Sequence, residues 1–300
     1  MIAGSFLWAI FTLIAAATQT ARNAMQRELT QTIGTVGATL VRFLFGLPFG
    51  ILFLAIVIFW IGAPLPRMSG AFLLWAFTGA ASQIAATALM LMAMNERSFV
   101  VTIAYIKTEP ILVAVFGLIF LGDKLTPVTA AAILIATFGV MMMSWSKGAS
   151  TPPLRPLTYG LVAAAFFGLS AVTFRGAIRS LNLDSFVLAA TFSLATGLLI
   201  QTALLSIYLL LFDRRSLKAI LREWRPSMLA GFLGAAASQF WFLAFAITSA
   251  ANVRTLALVE VLFAQFVTRR IGEKTSPREI AGIAMVVGGI ILLLWGANAH

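Results

Sequence analysis

The sequence contains no cysteine, and its single histidine is the last residue, His300. Without cysteine, the chain has no disulfide and no thiol chemistry. With histidine only at the terminus, the interior has no histidine for acid–base catalysis, and a zinc site is not expected. The sequence also lacks the G-x-x-x-x-G-K-[ST] loop that binds ATP phosphates. We therefore expect a protein that is not an enzyme, with no catalytic residues, no metal and no cofactor.

Charged residues are also scarce, at 10% of the chain, whereas hydrophobic residues make up 61%. Soluble domains are about a quarter charged and about half apolar. Here the apolar residues form blocks of the roughly 20 residues that a helix needs to cross a bilayer. The sequence therefore predicts an all-α polytopic membrane protein, in which the N-terminal block is the first helix rather than a removable signal. We expect ten transmembrane helices at residues 3–21, 35–61, 70–94, 98–121, 127–146, 157–178, 185–212, 228–248, 251–271 and 278–297.

The charge balance is strongly basic, with 21 Lys and Arg against 10 Asp and Glu. In a soluble protein this excess would indicate nucleic acid binding. In this chain the basic residues lie mostly in short segments between apolar blocks, as the positive-inside rule expects. We therefore expect membrane lipid around the protein and no nucleic acid partner.

The two halves of the chain resemble each other. The segment "LGDKLTP" at 121–127 returns as "IGEKTSP" at 271–277. We interpret residues 1–148 and 157–300 as two five-helix units, joined by a linker at 149–156 within the stretch 146–156, which is rich in Gly, Ser and Pro. Because five is odd, the second unit must cross the membrane in the opposite sense. The sequence thus predicts an inverted repeat, which in secondary transporters places the site between the repeats near the midplane.

Charged residues and a proline interrupt the apolar segment "YIKTEPILVAVF". Lys107 and Glu109 are two positions apart, so on a helix they point about 200° apart and each needs its own partner. Pro110 removes a backbone hydrogen bond and is expected to kink the helix. Glu260 is the repeat mate of Glu109, and Arg42 is one candidate partner for Glu109. We interpret these five residues as gate or coupling residues; the alternatives are packing by a buried ion pair and a static kink.

Polar pairs also repeat in mid-helix, where Ser82-Gln83 returns as Ser238-Gln239. A glutamine side chain offers both donors and an acceptor to the carboxylate and ammonium groups of a zwitterion. Aromatic residues nearby in sequence could form the apolar wall of a pocket. The predicted substrate cavity comprises Ser82, Gln83, Tyr105, Ser238, Gln239, Phe240 and Trp241. The alternative is that Ser and Gln bridge helices without touching a substrate.

Three basic residues lie near predicted helix ends. Arg22 in "TARNAM" has a repeat mate, Arg175, in "TFRGAI", and Arg254 stands at a similar position in the second half. Long basic side chains at helix ends commonly reach out to the membrane interface, which is the interpretation we favour here. The alternative is that they lie at the ends of the transport path.

These features resemble the EamA-type drug/metabolite transporter superfamily. Its members close each half with a proline-containing helix, then Leu-Gly-Glu/Asp-Lys-Leu-Thr, then a glycine-containing helix. The first half matches this pattern at Pro110, Gly122, Asp123, Lys124, Thr126 and Gly139, and the second at Gly272, Glu273, Lys274 and Gly289. No proline stands near Val261 in the second half, which implies that the two halves are not mechanical equals. An arginine in the second helix, here Arg42, is also typical of the superfamily.

Within the superfamily, the chain length, the "QREL" turn after the first helix and the aromatic-rich interior are most similar to YddG-type exporters of aromatic amino acids. The resemblance implies a central cavity lined by predicted helices 1, 3, 4, 6, 8 and 9, and amino-acid efflux across the bacterial inner membrane by alternating access. An exporter of drugs or other metabolites, or a channel or receptor, stays as an alternative. Proton coupling through Glu109 or Glu260, uniport and exchange all fit, and a monomer is compatible with the sequence.

The basic residues also predict the orientation of the chain. Apart from Arg42 and Lys107 there are 19 Lys and Arg, of which 14 follow odd-numbered helices and 5 follow even-numbered ones. The larger set should be cytoplasmic, so both termini of a ten-helix chain should face the periplasm. A reporter that works only in the periplasm is expected to be active when fused after His300. Activity at that position from a reporter that works only in the cytoplasm would contradict the prediction.

Overall fold

A computed structural model describes residues 6–96, 105–145, 154–262 and 277–298 of the chain. The regular secondary structure of these ranges is helical. The helices are α1 Leu7–Leu44, α2 Leu47–Ile61, α3 Gly70–Glu96, α4 Glu109–Leu121, α5 Pro127–Trp145, α6 Leu154–Ser180, α7 Phe186–Phe212, α8 Arg214–Arg222, α9 Trp224–Ile247, α10 Ala250–Leu256 and α11 Pro277–Asn298.

Six helical stretches within the described ranges are long and apolar enough to cross a membrane. They are Glu28–Ile61, Gly70–Asn95, Leu157–Ser180, Phe186–Phe212, Ser227–Ile247 and Pro277–Gly296. Two shorter apolar helices accompany them, Glu109–Leu121 and Pro127–Met143. The prediction of an all-helical, multi-pass membrane protein is confirmed at this level, whereas the count of ten crossings and the inverted repeat stay predictions.

The first helix is longer than the sequence predicted. We expected an end at residue 21, but α1 continues to Gly34, whose φ of 72° and ψ of 172° interrupt the helix before it resumes. The backbone bends there because glycine adopts a positive φ without the steric cost that other residues meet. The prediction of a turn at "QREL" (26–29) is therefore wrong, since no glycine or proline precedes Gly34 in that stretch. Across the bend, Gln26 Nε2 donates a hydrogen bond to the Ala38 carbonyl at 3.0 Å.

The helix that carries Pro110 is interrupted rather than kinked. We predicted one helix over 98–121, of which the residues before Tyr105 lie outside the described ranges. A turn at Lys107–Thr108 precedes α4, and the Thr108 amide bonds the Tyr105 carbonyl three residues back, as in a 3₁₀ turn. Pro110 therefore lies in the first turn of α4, where the missing N–H of a proline has no helical partner to lose.

The corresponding helix of the second half is interrupted as well. We predicted one helix over 251–271, of which the residues after Leu262 lie outside the described ranges. A turn at Ala257–Leu258 follows α10, and the helix resumes at Val259. The amide of Leu258 bonds the Thr255 carbonyl at 3.1 Å, again three residues back. This break needs no proline, so the difference that we expected between the halves is not seen in the backbone.

The connection predicted at 213–226 contains a short helix, α8, that sequence reasoning missed. The Asp213 carboxylate caps it by accepting hydrogen bonds from the Ser216 amide at 3.1 Å and the Ser216 hydroxyl at 2.5 Å. These bonds hold the pKa of Asp213 below its usual range. Ile220 is fully buried while the basic residues of α8 are exposed, so the helix rests its apolar side on the bundle. Asp213 three residues before Ser216 was the signal available in the sequence.

Contacts between the two halves hold the bundle together. Helix α1 packs along α9, α3 along α6 and α5 along α11, while α2 packs on α7 and α4 contacts α6 and α10. Each of these pairs joins a helix of the first predicted unit to one of the second. The buried core between them is mainly Ala, Leu and Phe, as in the contact of Phe72 on α3 with Phe192 on α7, whose ring centroids lie 5.5 Å apart.

Glycines bring two of these helices to backbone distance. A Cβ added to Gly139 of α5 would lie 2.8 Å from the carbonyl oxygen of Gly282 on α11. A Cβ added to Gly289 would lie 2.8 Å from the amide nitrogen of Ala136. Small residues at such contacts allow the close van der Waals packing that drives helix association in lipid. The α5–α11 pair therefore depends on glycine at these positions.

The adjacent glycines 288 and 289 provide a matched test of this packing. We expect Gly289→Ala to lower the stability of the purified protein by about 1–3 kcal/mol, because the new methyl group overpacks the contact with α5. Gly288→Ala meets no atom within 4 Å of the added Cβ among the described residues and should be neutral or stabilising. Thermal unfolding of both variants in detergent measures the difference, and equal melting temperatures would contradict the close contact.

Candidate functional site

Two buried ion pairs connect the interrupted helices of the two halves. Lys107 Nζ lies 2.6 Å from Glu260 Oε2, and Arg254 Nε lies 3.0 Å from Glu109 Oε1. All four side chains are at least nine-tenths buried. We call these contacts the crossed ion pairs, because each interrupted helix supplies one cation and one anion. As the spacing predicted, Lys107 and Glu109 do not pair with each other, and the expectation that Arg254 reaches the interface is wrong.

The crossed ion pairs differ in geometry. Lys107 donates a hydrogen bond to Glu260, which is a short charge-assisted contact. Arg254 and Glu109 are close in distance, but the N–H of Arg254 does not point at the oxygen, so Arg254 Nε and Glu109 Oε1 form no hydrogen bond within the described ranges. Buried charges depend on such hydrogen bonds to offset their loss of hydration. The Arg254–Glu109 pair is therefore the looser of the two.

Aromatic and amide side chains extend the crossed ion pairs into α9 and α1. The Arg254 guanidinium carbon lies 4.4 Å from the centroid of the Trp241 ring and 5.4 Å from that of Phe245. The Trp241 indole N–H donates to Gln19 Oε1 at 3.0 Å, and Gln19 Nε2 donates to Glu260 Oε1 at 3.4 Å. A continuous polar chain thus runs from Trp241 through Gln19 to Glu260.

Two further cations lie in the interior on α1. Arg22 is 1% exposed and Arg42 is 2% exposed. The expectation that Arg22 reaches the interface is wrong, because α1 extends past residue 21. Its Nη2 donates to Asn23 Oδ1 at 2.6 Å, whereas Nε and Nη1 have no partner among the described residues. Arg42 Nη1 donates to Thr87 Oγ1 at 3.0 Å instead of pairing with Glu109 as we had considered.

The repeat mate of Arg22 is paired. Arg175 Nη1 lies 2.6 Å from Asp123 Oδ1, within the repeated "LGDKLTP" segment. Gly122 ends α4 with a φ of 63°, and Asp123 then folds back against Gly117, where a side chain would crowd its carboxylate. The segment therefore ties the end of α4 to α6. The second copy of this segment is "IGEKTSP" at 271–277, of which residues 271–276 lie outside the described residues.

The repeated glutamines both bind α7. Gln83 Oε1 accepts a hydrogen bond from Gln201 Nε2 at 2.7 Å, and Gln239 Nε2 donates to Thr191 Oγ1 at 2.8 Å. These contacts favour the helix-bridging alternative for Gln83. Gln239 Oε1 is buried without a hydrogen-bond donor among the described residues, so it keeps an acceptor for another group. A cavity role for either glutamine stays a prediction.

The remaining predicted cavity residues lie on α3, on α9 and just before α4. Tyr105 is half-buried and its Cβ packs against α6. Phe240 is half-buried and packs on Phe11, with ring centroids 5.9 Å apart. Ser82 and Ser238 are each 4% exposed, beside the glutamines. The structure thus brings Lys107, Glu109, Glu260 and Trp241 into one cluster, with Pro110 next to Glu109, and joins the two glutamines to α7.

Sequence reasoning missed Arg254 and Gln19 as members of the cluster. Arg254 lies near a predicted helix end, where a charged side chain can reach the membrane interface. Gln19 is one polar residue within the apolar block of the predicted first helix. The available signal was the balance of charge in mid-helix. Two intramembrane glutamates need two cations, and Lys107 can neutralise one of them.

The arrangement is suited to binding and to ion pairs that open and re-form. Charged groups held in an apolar interior interact strongly with one another and with any polar solute that reaches them. Within the described ranges, no group of three or more His, Asp or Glu residues lies where it could hold a metal ion. The cluster presents guanidinium, ammonium, carboxylate and indole groups in an apolar interior.

Comparison with known proteins identifies the fold and the family. The model of the EamA-like transporter family matches residues 6–145 and, separately, residues 154–295. A solved crystal structure aligns with 100% of this chain and 99% of its own chain, with a TM-score of 0.69 at 15% sequence identity. That likeness shows a shared fold. No curated protein matches the sequence.

The Lys107–Glu260 pair can be tested by neutralising its members singly and together. We expect Lys107→Met or Glu260→Gln alone to destabilise the protein by about 3–5 kcal/mol, because each leaves the other charge buried and unpaired. The double variant should recover most of this loss. Thermal unfolding of the three purified variants measures the effect, and additive losses in the double variant would show that the pair does not exist.

Proposed function

The chain belongs to the EamA-like transporter family, and we propose that it is a secondary transporter that exports amino acids or similar small metabolites across the bacterial inner membrane. Aromatic and other neutral amino acids are the proposed substrates, and alternating access is the proposed mechanism. The observation that carries the proposal is the crossed ion pairs between the interrupted helices of the two halves.

The free-energy cost of placing charged side chains inside a membrane supports a functional role for the four residues of the crossed ion pairs. A charged side chain in mid-membrane costs about 2.5–3.5 kcal/mol on insertion scales, so such residues are rare outside transport and relay sites. Non-helical backbone at membrane depth is tolerated where it is buried in protein or lines a polar cavity. Discontinuous helices near the midplane form the substrate and ion sites of many secondary transporters. Both features meet at residues 105–110 and 254–260.

We also propose ten membrane crossings arranged as two inverted five-helix repeats, residues 1–148 and 157–300. Two observations support this arrangement. The family model matches once in each half. In addition, exchanging each helix for its repeat mate converts the α1–α9 contact into the α6–α3 contact and leaves the α2–α7 and α5–α11 pairs unchanged. A packing scheme that maps onto itself in this way is typical of a pseudo-two-fold axis.

In the proposed mechanism, the two halves exchange conformations around the crossed ion pairs. The Lys107–Glu260 pair has a direct hydrogen bond, so it is the costlier one to open. The Arg254–Glu109 pair lacks a hydrogen bond and can exchange partners at lower cost. We assign the gating role to these four residues, with Pro110 fixing the start of α4. A proton on Glu109 or Glu260 would couple transport to pH, whereas exchange needs no such step.

An amino-acid substrate fits the surrounding side chains. Phe240 is half-buried and supplies an aromatic ring next to Gln239 and the buried Trp241. Gln239 Oε1 has no hydrogen-bond donor among the described residues, so it is an acceptor that suits an ammonium group. Pockets for small solutes usually combine such an apolar lining with a few polar groups. We therefore place the substrate beside α9, with Gln83, Ser82, Ser238 and Tyr105 as further proposed lining residues. A drug or other metabolite exporter would need the same architecture and is distinguished by the test below.

The test is a proteoliposome competition panel with the purified full-length chain. Aromatic and neutral amino acids, nucleosides and cationic drugs compete against labelled phenylalanine, with and without a pH gradient. We expect saturable uptake that aromatic amino acids inhibit and nucleosides do not. Accumulation against a gradient only when a pH difference is imposed would identify proton coupling.

Three results would contradict the proposal. Flux that does not saturate and reaches ion-channel rates would identify a channel. Inhibition by cationic drugs alone would identify a drug exporter of the same family. No uptake of any member of the panel, by liposomes that contain folded protein, would argue against transport of small polar solutes altogether.

A further inference from the structure

We propose that Arg22 and Arg42 together bind an oxyanion of the transported solute, either a carboxylate or a phosphate. This inference rests on the proposed transport function and adds the chemical class of the group that the site recognises. The observation behind it is an excess of buried positive charge that the described residues do not neutralise.

The charge count around the crossed ion pairs is uneven. Four buried cations lie there, Arg22, Arg42, Lys107 and Arg254, with the two anions of the pairs, Glu109 and Glu260. A third buried carboxylate, Glu279, lies in the first turn of α11. Glu109 and Glu260 already have cationic partners in the crossed ion pairs. Arg22 lies close enough to Glu260 and Arg254 for their charges to interact, and Arg42 lies close enough to Arg22 and Arg254. These six groups carry a formal charge of +2, which is the charge of the two arginines of α1.

These two arginines are close neighbours. A Cβ added to Gly234 of α9 would lie 3.2 Å from Arg42 Cγ and 3.4 Å from Arg22 Cδ, so both side chains pass the same point of α9. Among the described residues, no carboxylate lies within 4 Å of either guanidinium. Two like charges held together away from water repel each other and lose their hydration, which is costly unless an anion joins them.

The hydrogen-bond donors of Arg22 also indicate that an oxyanion binds here. Its guanidinium has five N–H donors in a planar fork that matches a carboxylate or phosphate. Only Nη2 has an acceptor among the described residues, the side chain of the adjacent Asn23. The Nε and Nη1 donors are buried and have no acceptor in the part of the chain that the structure describes. An oxyanion would satisfy these donors and neutralise the excess charge at the same time.

Arg175, the repeat mate of Arg22, is an example of a paired arginine in this fold. Arg175 binds Asp123 at 2.6 Å and the Thr248 carbonyl at 2.8 Å. By the sequence repeat, Glu273 is the mate of Asp123 and the natural intramolecular competitor for Arg22; it lies outside the described residues. One additional carboxylate would still leave the cluster positively charged. The experiment therefore includes Glu273 as a variant.

Binding is measured on the purified full-length chain at low ionic strength, by thermal unfolding against ligand concentration. The probes are L-phenylalanine, phenylpyruvate, L-phenylalaninamide and inorganic phosphate. Phenylalaninamide keeps the ring and the amine but lacks the carboxylate. We expect saturable stabilisation by phenylalanine and phenylpyruvate and none by the amide. Stabilisation by phosphate alone would also support the oxyanion site and would assign it to a phosphate-bearing solute.

Variants then assign the effect to the two arginines. Arg22→Gln and Arg42→Gln should each weaken binding of the effective anion by about tenfold or more, equivalent to a loss of at least about 1.4 kcal/mol. Arg67→Gln, at an exposed position, should leave binding within about twofold of the wild type. Without ligand, Arg22→Gln should unfold at the wild-type temperature or above, because it removes an unpaired buried charge. Arg175→Gln should unfold at a lower temperature, because it breaks a pair.

The outcomes separate this inference from the transport proposal. Equal stabilisation by the amide and by phenylalanine, or no stabilisation by any anion, overturns the oxyanion site even if the liposome panel shows saturable transport. Without ligand, Arg22→Gln and Glu273→Gln could both prove as unstable as Arg175→Gln. That result would show that Arg22 has an intramolecular partner, and it would also overturn the oxyanion site. Anion binding that persists in Glu273→Gln and is lost in Arg22→Gln supports it.

Discussion

The crossed ion pairs are the interaction on which the centre of this bundle depends. Lys107 and Glu109 on one interrupted helix meet Glu260 and Arg254 on the other, so neither helix can move without changing the electrostatic state of its mate. In an apolar interior, each unpaired member would carry a cost of several kcal/mol. The backbone breaks beside both glutamates allow the side chains to reach across. Charge pairing thus couples two segments that are distant in sequence and fixes where the halves meet.

The helices around this centre are arranged by packing rather than by charge. Gly139, Gly282 and Gly289 bring α5 and α11 to backbone contact, and Gly234 lets the two arginines of α1 pass α9. The Arg175–Asp123 pair fastens the end of α4 to α6. Among the described residues, polar atoms near the centre such as Arg22 Nε and Gln239 Oε1 lack a hydrogen-bond partner, as does Thr137 Oγ1 in α5.

The sequence was sufficient for the features that depend on local pattern. Composition and apolar blocks predicted a multi-pass helical protein, and the spacing of Lys107 and Glu109 predicted that they do not pair. It was insufficient where tertiary contacts decide. In the sequence Arg254 resembles a helix-end residue, and only the structure shows Glu109 beside it. Arg42 has Thr87 as its partner because α3 lies closer to Arg42 than α4 does. The break at Ala257–Leu258 contains no proline or glycine from which it could have been predicted. The helix through "QREL" continues until Gly34, where a positive φ permits a bend.

The distance along the chain between the crossed partners has a consequence for biosynthesis. Lys107 and Glu260 are 153 positions apart, which corresponds to on the order of ten seconds of translation at about 5–20 residues per second. The first interrupted helix therefore enters the membrane with both of its charges before either counter-charge has been synthesised. During that interval the insertion machinery, a lipid headgroup or water must accommodate a lysine and a glutamate. Lys107 and Glu109 therefore pair with their counter-charges only after the second half of the chain has been synthesised.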